Sequence, residues 1–339
     1  AVAFLRPALK RSNLTLITGA QATRILMDGK RATGIKYRQG DTTRTVKAAE
    51  VILAGGAYNS PQLLMLSGIG PAAHLSELEI NVVQDAAAVG GNLQDHPAIS
   101  LEYQRTQTSE FMRNLRLDKL TINMARAWLF NTGPASQPVG FSTAFVKSRE
   151  GLEIPDLQFF FRPYSRLARQ WLPFVYPHAP DAVSITACHL RPESRGEVRL
   201  RSTDPMAPVG FVNNFLSTEA DREAMRQAFK ISRDLVGQPS FDAIRGDETA
   251  PGSDVESDVD IDAFIRETAM TVFHPIGTCR MGSDPASVVD PEMRVRGIEG
   301  LRVVDASVMP DLVGGNINAC VMMIADKASD IIHGKTPLP

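Results

Sequence analysis

The chain has 339 residues, is 43% hydrophobic and carries a formal net charge of −2. Because usual domains have about 150 residues, this length predicts one large or two medium domains with a sizeable core. A pI near 6.4 and the lack of any Lys/Arg-rich run argue against nucleic acid as a partner. No stretch approaches the ~18 unbroken apolar residues of a membrane span, so no transmembrane segment is predicted. Peripheral membrane association stays open.

The cysteine content points to a reducing compartment. Cys188, Cys279 and Cys320 are an odd number without a Cys-x-x-Cys pair, so a disulfide framework is not expected. His274 and Cys279 have no second pair of ligands nearby in the sequence, so no metal site is predicted. We therefore expect a cytoplasmic protein, with attachment to the periphery of the inner membrane left open. The chain opens at Ala1 without Met or a signal-peptide pattern and is expected to start in mid-domain.

The first part of the chain has the pattern of short strands followed by one helix. Strands are predicted at 14–18, 23–27, 32–37, 45–48 and 50–54. Asp28-Gly29 lies between two alternating runs, which predicts a β-hairpin. An apolar helix is predicted to begin with Ser60 as its N-cap and Pro61 at its first helical position, and to stop near Gly68.

From about residue 96 the pattern changes to strands separated by polar turns. Candidate strands lie at 99–104, 140–147, 157–161, 183–189, 197–202 and 212–215. Their spacing predicts an antiparallel sheet that forms a separate layer. Helices are predicted at 219–236, which follows a capping sequence at Thr218, and at 261–270. The aromatic residues of 159–175 either line a pocket or fill a core.

The last segment returns to an α/β pattern, with a strand at 301–304, a loop at 305–315 and a helix at 319–333. His274 and Asn316 each lie on a glycine-rich turn, and both turns are expected near the carboxyl end of the 301–304 strand. Open α/β sheets bind their ligands at that edge. Histidine is a suitable proton acceptor near neutral pH, whereas an amide donates and accepts hydrogen bonds without acting as a base.

Several blocks of sequence resemble one known family. They are Gly56-Ala57-Tyr58-Asn59-Ser60-Pro61 with its continuation to Gly70, Val89-Gly90-Gly91-Asn92-Leu93-Gln94-Asp95-His96-Pro97, Pro192-Glu193-Ser194-Arg195-Gly196, the block 273–282, and Gly300-Leu301-Arg302-Val303-Val304-Asp305-Ala306-Ser307. Their order and spacing resemble those of the glucose–methanol–choline (GMC) oxidoreductases across nearly the whole chain.

The resemblance implies an α/β fold, α+β overall, with an FAD-binding Rossmann-like domain and a substrate domain built on an antiparallel sheet. The sequence has no Gly-x-Gly-x-x-Gly turn, so it looks like the carboxyl-side two-thirds of a family member, N-terminally incomplete. Residues 1–95 are then the remainder of the FAD-binding domain. Residues 96–270 form the substrate-binding domain, and residues 271–339 return to the FAD-binding domain with the catalytic His and Asn.

The resemblance also implies a reaction, the FAD-dependent oxidation of a primary alcohol to an aldehyde. The alcohol is choline-like, aliphatic or aromatic, and the hydride passes to flavin N5. By resemblance His274 is the base and Asn316 is the amide that orients the substrate oxygen. The final electron acceptor is a quinone, a dye-like acceptor or oxygen.

Residues expected at the cofactor follow from the same resemblance: Ala22, Asn92, Phe273, Asp305, Ala306, Ile317 and Asn318. Ala22 is expected at adenine, and Asp305 with Ala306 at the ribityl and phosphate region. The start of the last helix is expected to face the negative charge of the reduced flavin, with Asn318 capping that helix. His96 is the other histidine expected near the cofactor.

Three alternatives stay open beside an alcohol dehydrogenase. They are an oxidase that returns electrons to oxygen, a lyase of the same family in which FAD is only structural, and an inactive fragment. The missing dinucleotide turn predicts weak or no FAD retention by this chain alone. The alcohol, the covalent or non-covalent attachment of FAD and the oligomeric state do not follow from the sequence.

Overall fold

The computed structural model describes residues 2–137 and 142–335 and contains both helices and strands. The helices are α1 (Leu5–Ala8), α2 (Gly56–Leu66), α3 (Ala72–Glu77), α4 (Glu110–Asn114), α5 (Leu117–Phe130), α6 (Glu219–Gly237), α7 (Asp258–Thr268) and α8 (Asn318–Ile332). The strands are β1 (Ala20–Asp28), β2 (Arg31–Gln39), β3 (Thr42–Lys47), β4 (Val51–Leu53), β5 (Ile69–Gly70), β6 (Gln84–Asp85), β7 (Pro97–Arg105), β8 (Ser142–Val146), β9 (Leu157–Arg162), β10 (Ala182–His189), β11 (Glu197–Arg199), β12 (Gly210–Val212), β13 (Arg245–Ala250), β14 (Met270–Thr271) and β15 (Leu301–Val303).

The predicted hairpin at Asp28-Gly29 is confirmed. Strands β1 and β2 pair antiparallel and close at Asp28 opposite Arg31, and β3 continues the sheet on the far side of β2. Gly29 has φ +56°, the left-handed conformation that this tight turn requires and that glycine adopts without strain.

A parallel strand pair joins the two ends of the chain. Leu301 of β15 lies beside Val51 of β4, and Val303 lies beside Leu53. One hydrophobic core contains these strands, helix α2 and residues from 279 to 308. The carboxyl-terminal segment, which follows the His274 turn, is therefore packed against the first part of the chain.

The strand predicted at 14–18 is wrong. This segment has no regular secondary structure, and Leu16 and Ile17 are exposed. Within the described residues it pairs with no strand. The side chain of Gln39 on β2 donates from Nε2 to the Thr18 carbonyl (2.9 Å). An apolar alternating run forms a strand only where a partner accepts its backbone hydrogen bonds.

The predicted start of the apolar helix is also wrong. Helix α2 begins at Gly56 with Gly55 as N-cap, so Pro61 lies inside the helix. Ser60 still serves the helix start, because its hydroxyl accepts from the Gly55 N–H (3.0 Å). The Ala57 carbonyl, whose usual partner would be the N–H that Pro61 lacks, accepts from the Thr278 hydroxyl (2.6 Å).

An antiparallel sheet after residue 96 is confirmed, but the strands predicted at 197–202 and 212–215 do not belong to it, because β11 and β12 pair with each other in a separate two-stranded sheet. The strands of the larger sheet lie in the order β13-β7-β10-β9-β8, with β14 also paired to β7. The sheet packs against α6 and α7 around a second core that includes Phe159 and Phe229. Residues 140 and 141 of the predicted strand at 140–147 lie outside the described residues. The strand predicted at 212–215 is wrong beyond Val212, because positive φ angles at Asn214 and Leu216 turn the chain away.

Helix α6 confirms the prediction at 219–236, including its cap, in which Thr218 Oγ1 accepts from the Asp221 N–H. Helix α7 begins at Asp258, earlier than predicted, because Ser257 caps it.

Helix α5 was not predicted. Most of its large apolar side chains are exposed, with Trp128 85% exposed, whereas Leu117 and Leu120 are half-buried and Asn123 is buried. The usual rule that the apolar face of a helix is buried therefore does not describe it.

None of the helices in the described part of the chain has the length and apolar character needed to cross a membrane. Across the same residues, no three His, Cys, Asp or Glu side chains are grouped so that they could hold a metal ion.

Candidate active site

A short segment before β7 connects the turn of His274 to the loop of Asn316. The backbone N–H of Gln94 donates to the Ile276 carbonyl (3.1 Å), and the Ile276 N–H donates back to the Gln94 carbonyl (2.9 Å). The Gln94 side chain donates to the Pro310 carbonyl (3.0 Å) and accepts from the Leu312 N–H (3.2 Å). Both turns are therefore held by one residue that is itself buried.

Asp95 fixes the backbone at His274. Its Oδ1 accepts from the backbone N–H of His274 (3.0 Å) and of His96 (2.8 Å), and its Oδ2 accepts from the Thr271 hydroxyl. Burial raises the pKa of Asp95 above its ordinary value, although these hydrogen bonds and the charge on His274 act in the opposite direction. Phe273, the predicted cofactor residue between Thr271 and His274, has φ +65° and is 83% exposed.

The structure brings the two predicted catalytic side chains together. Nε2 of His274 lies 3.3 Å from Nδ2 of Asn316. On the other side of the ring, Nδ1 of His274 lies 2.9 Å from Nδ1 of His96, and the two rings meet edge to face at 88°. Burial lowers the pKa of His274, and the carboxylate of Asp95 opposes that shift. A neutral imidazole with one nitrogen towards an exposed amide can accept a proton.

His96 is the residue of this site whose role sequence reasoning missed. It is 1% exposed, and its Nε2 lies 3.1 Å from the Val313 carbonyl, in the loop that leads to Asn316. Burial first, and then the charge on His274, lower the pKa of His96 to about 4. The block 89–97 contains His96, but the contact of His96 with His274 of the block 273–282 becomes visible only in three dimensions.

The backbones of Gly277 and Asn92 lie close together in the site. Gly277 has φ +92°, and a Cβ there would lie 2.4 Å from the Asn92 carbonyl oxygen, so only glycine fits. The Asn92 side chain donates to the Pro310 carbonyl (3.1 Å) and accepts from Arg195 Nε (3.1 Å). Asn92 thus supports the loop before Asn316, and its predicted contact with a cofactor stays a prediction.

Asp305 connects the end of β15 to the start of α2. Its Oδ2 accepts from the Gly56 N–H (2.9 Å) and from the Ser60 hydroxyl (2.5 Å). Its Oδ1 accepts from the Ser307 N–H (2.8 Å), which caps the 3₁₀ turn Ala306–Val308. Both carboxylate oxygens are therefore engaged within the protein, and the contact of Asp305 with a cofactor stays a prediction.

A surface groove extends from the predicted adenine position to this junction. Ala22 lies on β1 opposite Tyr37 and lines the groove together with Ala54, Gly55 and Ser60. Ser60 contacts Asp305, and the next residue, Ala306, accepts at its carbonyl from the Gly277 N–H (3.4 Å). Ala22, Asp305 and Ala306, three of the predicted cofactor residues, are thus linked through Ser60 to the turn of His274.

The start of α8 differs from the prediction in its cap. Asn318 is the first helical residue, Ile317 is the N-cap, and no side chain caps this end, so the prediction that Asn318 caps the helix is wrong. Asn316, Asn318 and Ala319 are exposed. The free N–H groups of a helix start attract negative charge by about 0.3–1 kcal/mol. An uncapped helix end beside His274 and Asn316 suits the pyrimidine end of a reduced flavin, which carries negative charge.

The aromatic residues of 159–175 separate in the structure and do not form one cage. Phe159 is buried in the second core. Tyr164 stacks on Phe111 at 4.3 Å, and Trp171 donates from Nε1 to the Met112 carbonyl (2.8 Å). Phe174 is fully exposed. Phe159 therefore fills a core, whereas Tyr164 and Trp171 attach α4.

Two models of one protein family match the chain. Both are described as GMC oxidoreductase; the amino-terminal one matches residues 1–98 and the carboxyl-terminal one matches residues 192–325. Together they match more than half of the chain, and their order along it is that of the sequence blocks described above. The chain belongs to the GMC oxidoreductase family.

Curated relatives of known name are similar over the whole chain. An oxygen-dependent choline dehydrogenase of Brucella ovis is 43% identical over 348 residues, which cover 100% of this chain and 61% of the relative. An oxygen-dependent choline dehydrogenase of Pseudomonas entomophila is 41% identical and covers 99% of this chain, with 59% of its own length matched. The chain therefore spans about 61% of the length of such relatives.

Solved structures share the fold. Pyridoxine 4-oxidase from "Mesorbium loti" superimposes with a TM-score of 0.81 at 29% identity, over 96% of this chain and 60% of that chain. A formate oxidase variant of Aspergillus oryzae, studied for its FAD modification, superimposes with a TM-score of 0.85 at 27% identity, over 95% of this chain and 61% of that chain.

Proposed function

We propose that this chain supplies the catalytic base and the orienting amide of an FAD-dependent oxidoreductase that oxidises a primary alcohol to an aldehyde. The observation that carries the proposal is the contact of 3.3 Å between His274 Nε2 and Asn316 Nδ2, at the uncapped start of α8. A base, a hydrogen-bond donor and a helix end that favours negative charge are the three groups that this reaction requires of a protein.

In the proposed reaction the alcohol carbon is oxidised and loses a hydride, while its hydroxyl loses a proton. FAD, when bound, accepts that hydride. Nε2 of His274 accepts the hydroxyl proton, and the Asn316 amide holds the substrate oxygen within reach of Nε2. The imidazolium that forms keeps its hydrogen bond to His96 and lies near the carboxylate of Asp95.

The residues present fit part of an FAD site. The groove at Ala22 would hold the adenine end, the junction at Asp305 and Ala306 would lie along the ribityl and phosphate region, and the start of α8 would face the flavin ring. Phe273 and Asn92 lie at the turn of His274, and Ile317 lies directly after Asn316. Within this proposal, residues 1–95 and 271–339 form the cofactor domain and residues 96–270 form the substrate domain. The parallel pairing of β15 with β4 supports that division.

The substrate is proposed only as a primary alcohol. The relatives named oxygen-dependent choline dehydrogenase make choline the first alcohol to test. Of the aromatic residues of 159–175, Phe159 is buried in the second core and Tyr164 stacks on Phe111, so these two do not supply a cage for its quaternary ammonium. Aliphatic and aromatic alcohols therefore belong in the same test.

The proposed location is the cytoplasm, with contact to the periphery of the inner membrane as a separate question. Cys188, Cys279 and Cys320 are unpaired thiols, which suits a reducing compartment. Fractionation of cells into membrane and soluble parts at low and high salt decides between the two locations.

The reaction is tested by adding alcohols anaerobically to the FAD-loaded protein. We expect choline or another primary alcohol to bleach the flavin absorbance and to yield one aldehyde per flavin. Unchanged absorbance with choline, aliphatic and aromatic alcohols would contradict the proposal and favour a lyase, in which FAD is only structural. Rapid recovery of the absorbance on admitting oxygen indicates an oxidase, and recovery that needs a quinone or dye indicates a dehydrogenase.

A further inference from the structure

His96 is buried between the two turns that carry His274 and Asn316, and both of its ring nitrogens have a partner. Its Nε2 lies 3.1 Å from the Val313 carbonyl, and its Nδ1 lies 2.9 Å from Nδ1 of His274. A backbone carbonyl can only accept a hydrogen bond, so the proton of the His96 ring must lie on Nε2.

The position of that proton decides the roles of the other three ring nitrogens, which are Nδ1 of His96 and Nδ1 and Nε2 of His274. A neutral imidazole with its proton on Nε2 has a lone pair on Nδ1, so His96 Nδ1 accepts and His274 Nδ1 donates. A neutral His274 that donates from Nδ1 has its lone pair on Nε2. That lone pair points to the Asn316 amide, which can donate to it at 3.3 Å.

We propose that His96 is a positioning residue that holds the proton of His274 on Nδ1, so that Nε2, the nitrogen facing Asn316, is the one free to take a proton. This inference rests on the proposed role of His274 as the base, and it adds the residue that determines which nitrogen performs that role. Through its bond to Val313, His96 also fixes the loop that presents Asn316 to the same nitrogen.

The surroundings of His96 keep it neutral, as this arrangement requires. Burial and the charge on His274 lower the pKa of His96 to about 4, with a further contribution from His189, while the backbone carbonyls of Val313 and Leu190 act in the opposite direction. Asp95 contacts the backbone of His96 and of His274 rather than either ring. A carboxylate is therefore not the ring partner of this base, and a second imidazole takes that place.

Without this partner the opposite tautomer becomes favourable. An isolated neutral histidine in water prefers its proton on Nε2, and a hydrogen bond at the other nitrogen is what reverses that preference. His274 in that form would present an N–H to the substrate hydroxyl and could not accept its proton. Part of the roughly 10²–10⁴-fold rate contribution of a general base would then be lost.

Nitrogen-15 NMR of histidine side chains, in this chain without any cofactor, tests the inference directly. The protonated and lone-pair nitrogens of an imidazole differ widely in chemical shift, so the spectrum reports the tautomer without substrate or turnover. We expect neutral His274 to carry its proton on Nδ1 and His96 on Nε2. A proton on Nε2 of His274 would overturn the inference, whatever the FAD-loaded protein does with alcohols.

Two variants of similar size at residue 96 distinguish the loss of a specific hydrogen-bond acceptor from a general loss of packing. In His96→Asn, the amide oxygen lies close to the former Nδ1 and can still accept from His274. In His96→Gln, the amide reaches instead towards the former Nε2 and the Val313 carbonyl. We expect His96→Asn to retain the Nδ1–H tautomer of His274, and His96→Gln to shift it to Nε2–H with a kcat about tenfold to hundredfold lower. An unchanged tautomer in His96→Gln, or equal behaviour of the two variants, would overturn the inference.

Discussion

At the residue scale, the charge of Asp95 adjusts the acidity of His274. Burial lowers the pKa of His274 and the Asp95 carboxylate raises it, so the two effects partly cancel. In the proposed reaction the base must be unprotonated, so we expect activity above the pKa of His274 and its loss as the pH falls below that pKa. His96 is the other titratable group in contact with the ring.

Asp95→Asn should therefore extend activity to lower pH. An asparagine keeps the oxygen that accepts from the His96 and His274 N–H groups and removes the negative charge. We expect the acid limb of the kcat/KM profile, and the pKa of His274 measured by NMR, to move to lower pH. Asp118→Asn, at an exposed ion pair of α5, is the control and should leave both unchanged. A shift to higher pH would contradict this electrostatic account.

Asn316 offers a second prediction at this scale. Its amide lies 3.3 Å from His274 Nε2, where a substrate hydroxyl would be held. Asn316→Ala should raise KM and lower kcat, because the substrate oxygen loses a donor in both the ground state and the transition state. Asn81→Ala, at an exposed residue in the loop between α3 and β6, is the matched control. Steady-state kinetics in which the two variants behave alike would refute the orienting role.

At the element scale, the internal proline of α2 makes the helix depend on a distant hydroxyl. Thr278 is fully buried and donates to the Ala57 carbonyl, which Pro61 leaves without its usual partner. Thr278→Val keeps the shape and removes the donor, so we expect a loss of about 1–3 kcal/mol in the free energy of unfolding. Thr121→Val, which removes an exposed bond to the Leu117 carbonyl, should cost less than about 0.5 kcal/mol. Urea unfolding measures both, and equal costs would contradict the assignment.

The elements that sequence reasoning predicted are those whose signals are local. The hairpin at Asp28-Gly29 and the capped helix α6 depend on neighbouring residues, and both were predicted. The start of α2 depends on Asp305, 249 residues away, so a local N-cap signal at Ser60 misplaced it. The segment 14–18 has strand-like alternation without a strand partner. In the site, the block 273–282 located His274 and the glycine-rich turn after the 301–304 strand located Asn316. The contact of His96 with His274 joins two blocks and could not be read from either.

At the scale of the whole molecule, the groove at Ala22 and the junction at Asp305 offer only part of an FAD site. The sequence has no Gly-x-Gly-x-x-Gly turn to hold a pyrophosphate at a helix start. We expect the 339-residue chain, produced by itself, to retain far less than one FAD per chain, as measured by absorbance after gel filtration. Circular dichroism is the control that the chain is folded. A folded chain with stoichiometric FAD would show that its own residues suffice.

Because the proposed mechanism assigns proton removal to one side chain, His274→Ala is its most direct test. The measurement is the rate of anaerobic flavin reduction by a primary alcohol in protein reconstituted with saturating FAD, with His333→Ala, at the far end of α8, as the control. We predict a rate roughly 10²–10⁴-fold lower for His274→Ala, with FAD still bound, and an unchanged rate for His333→Ala. A His274→Ala protein that reduces its flavin at the wild-type rate would contradict the account.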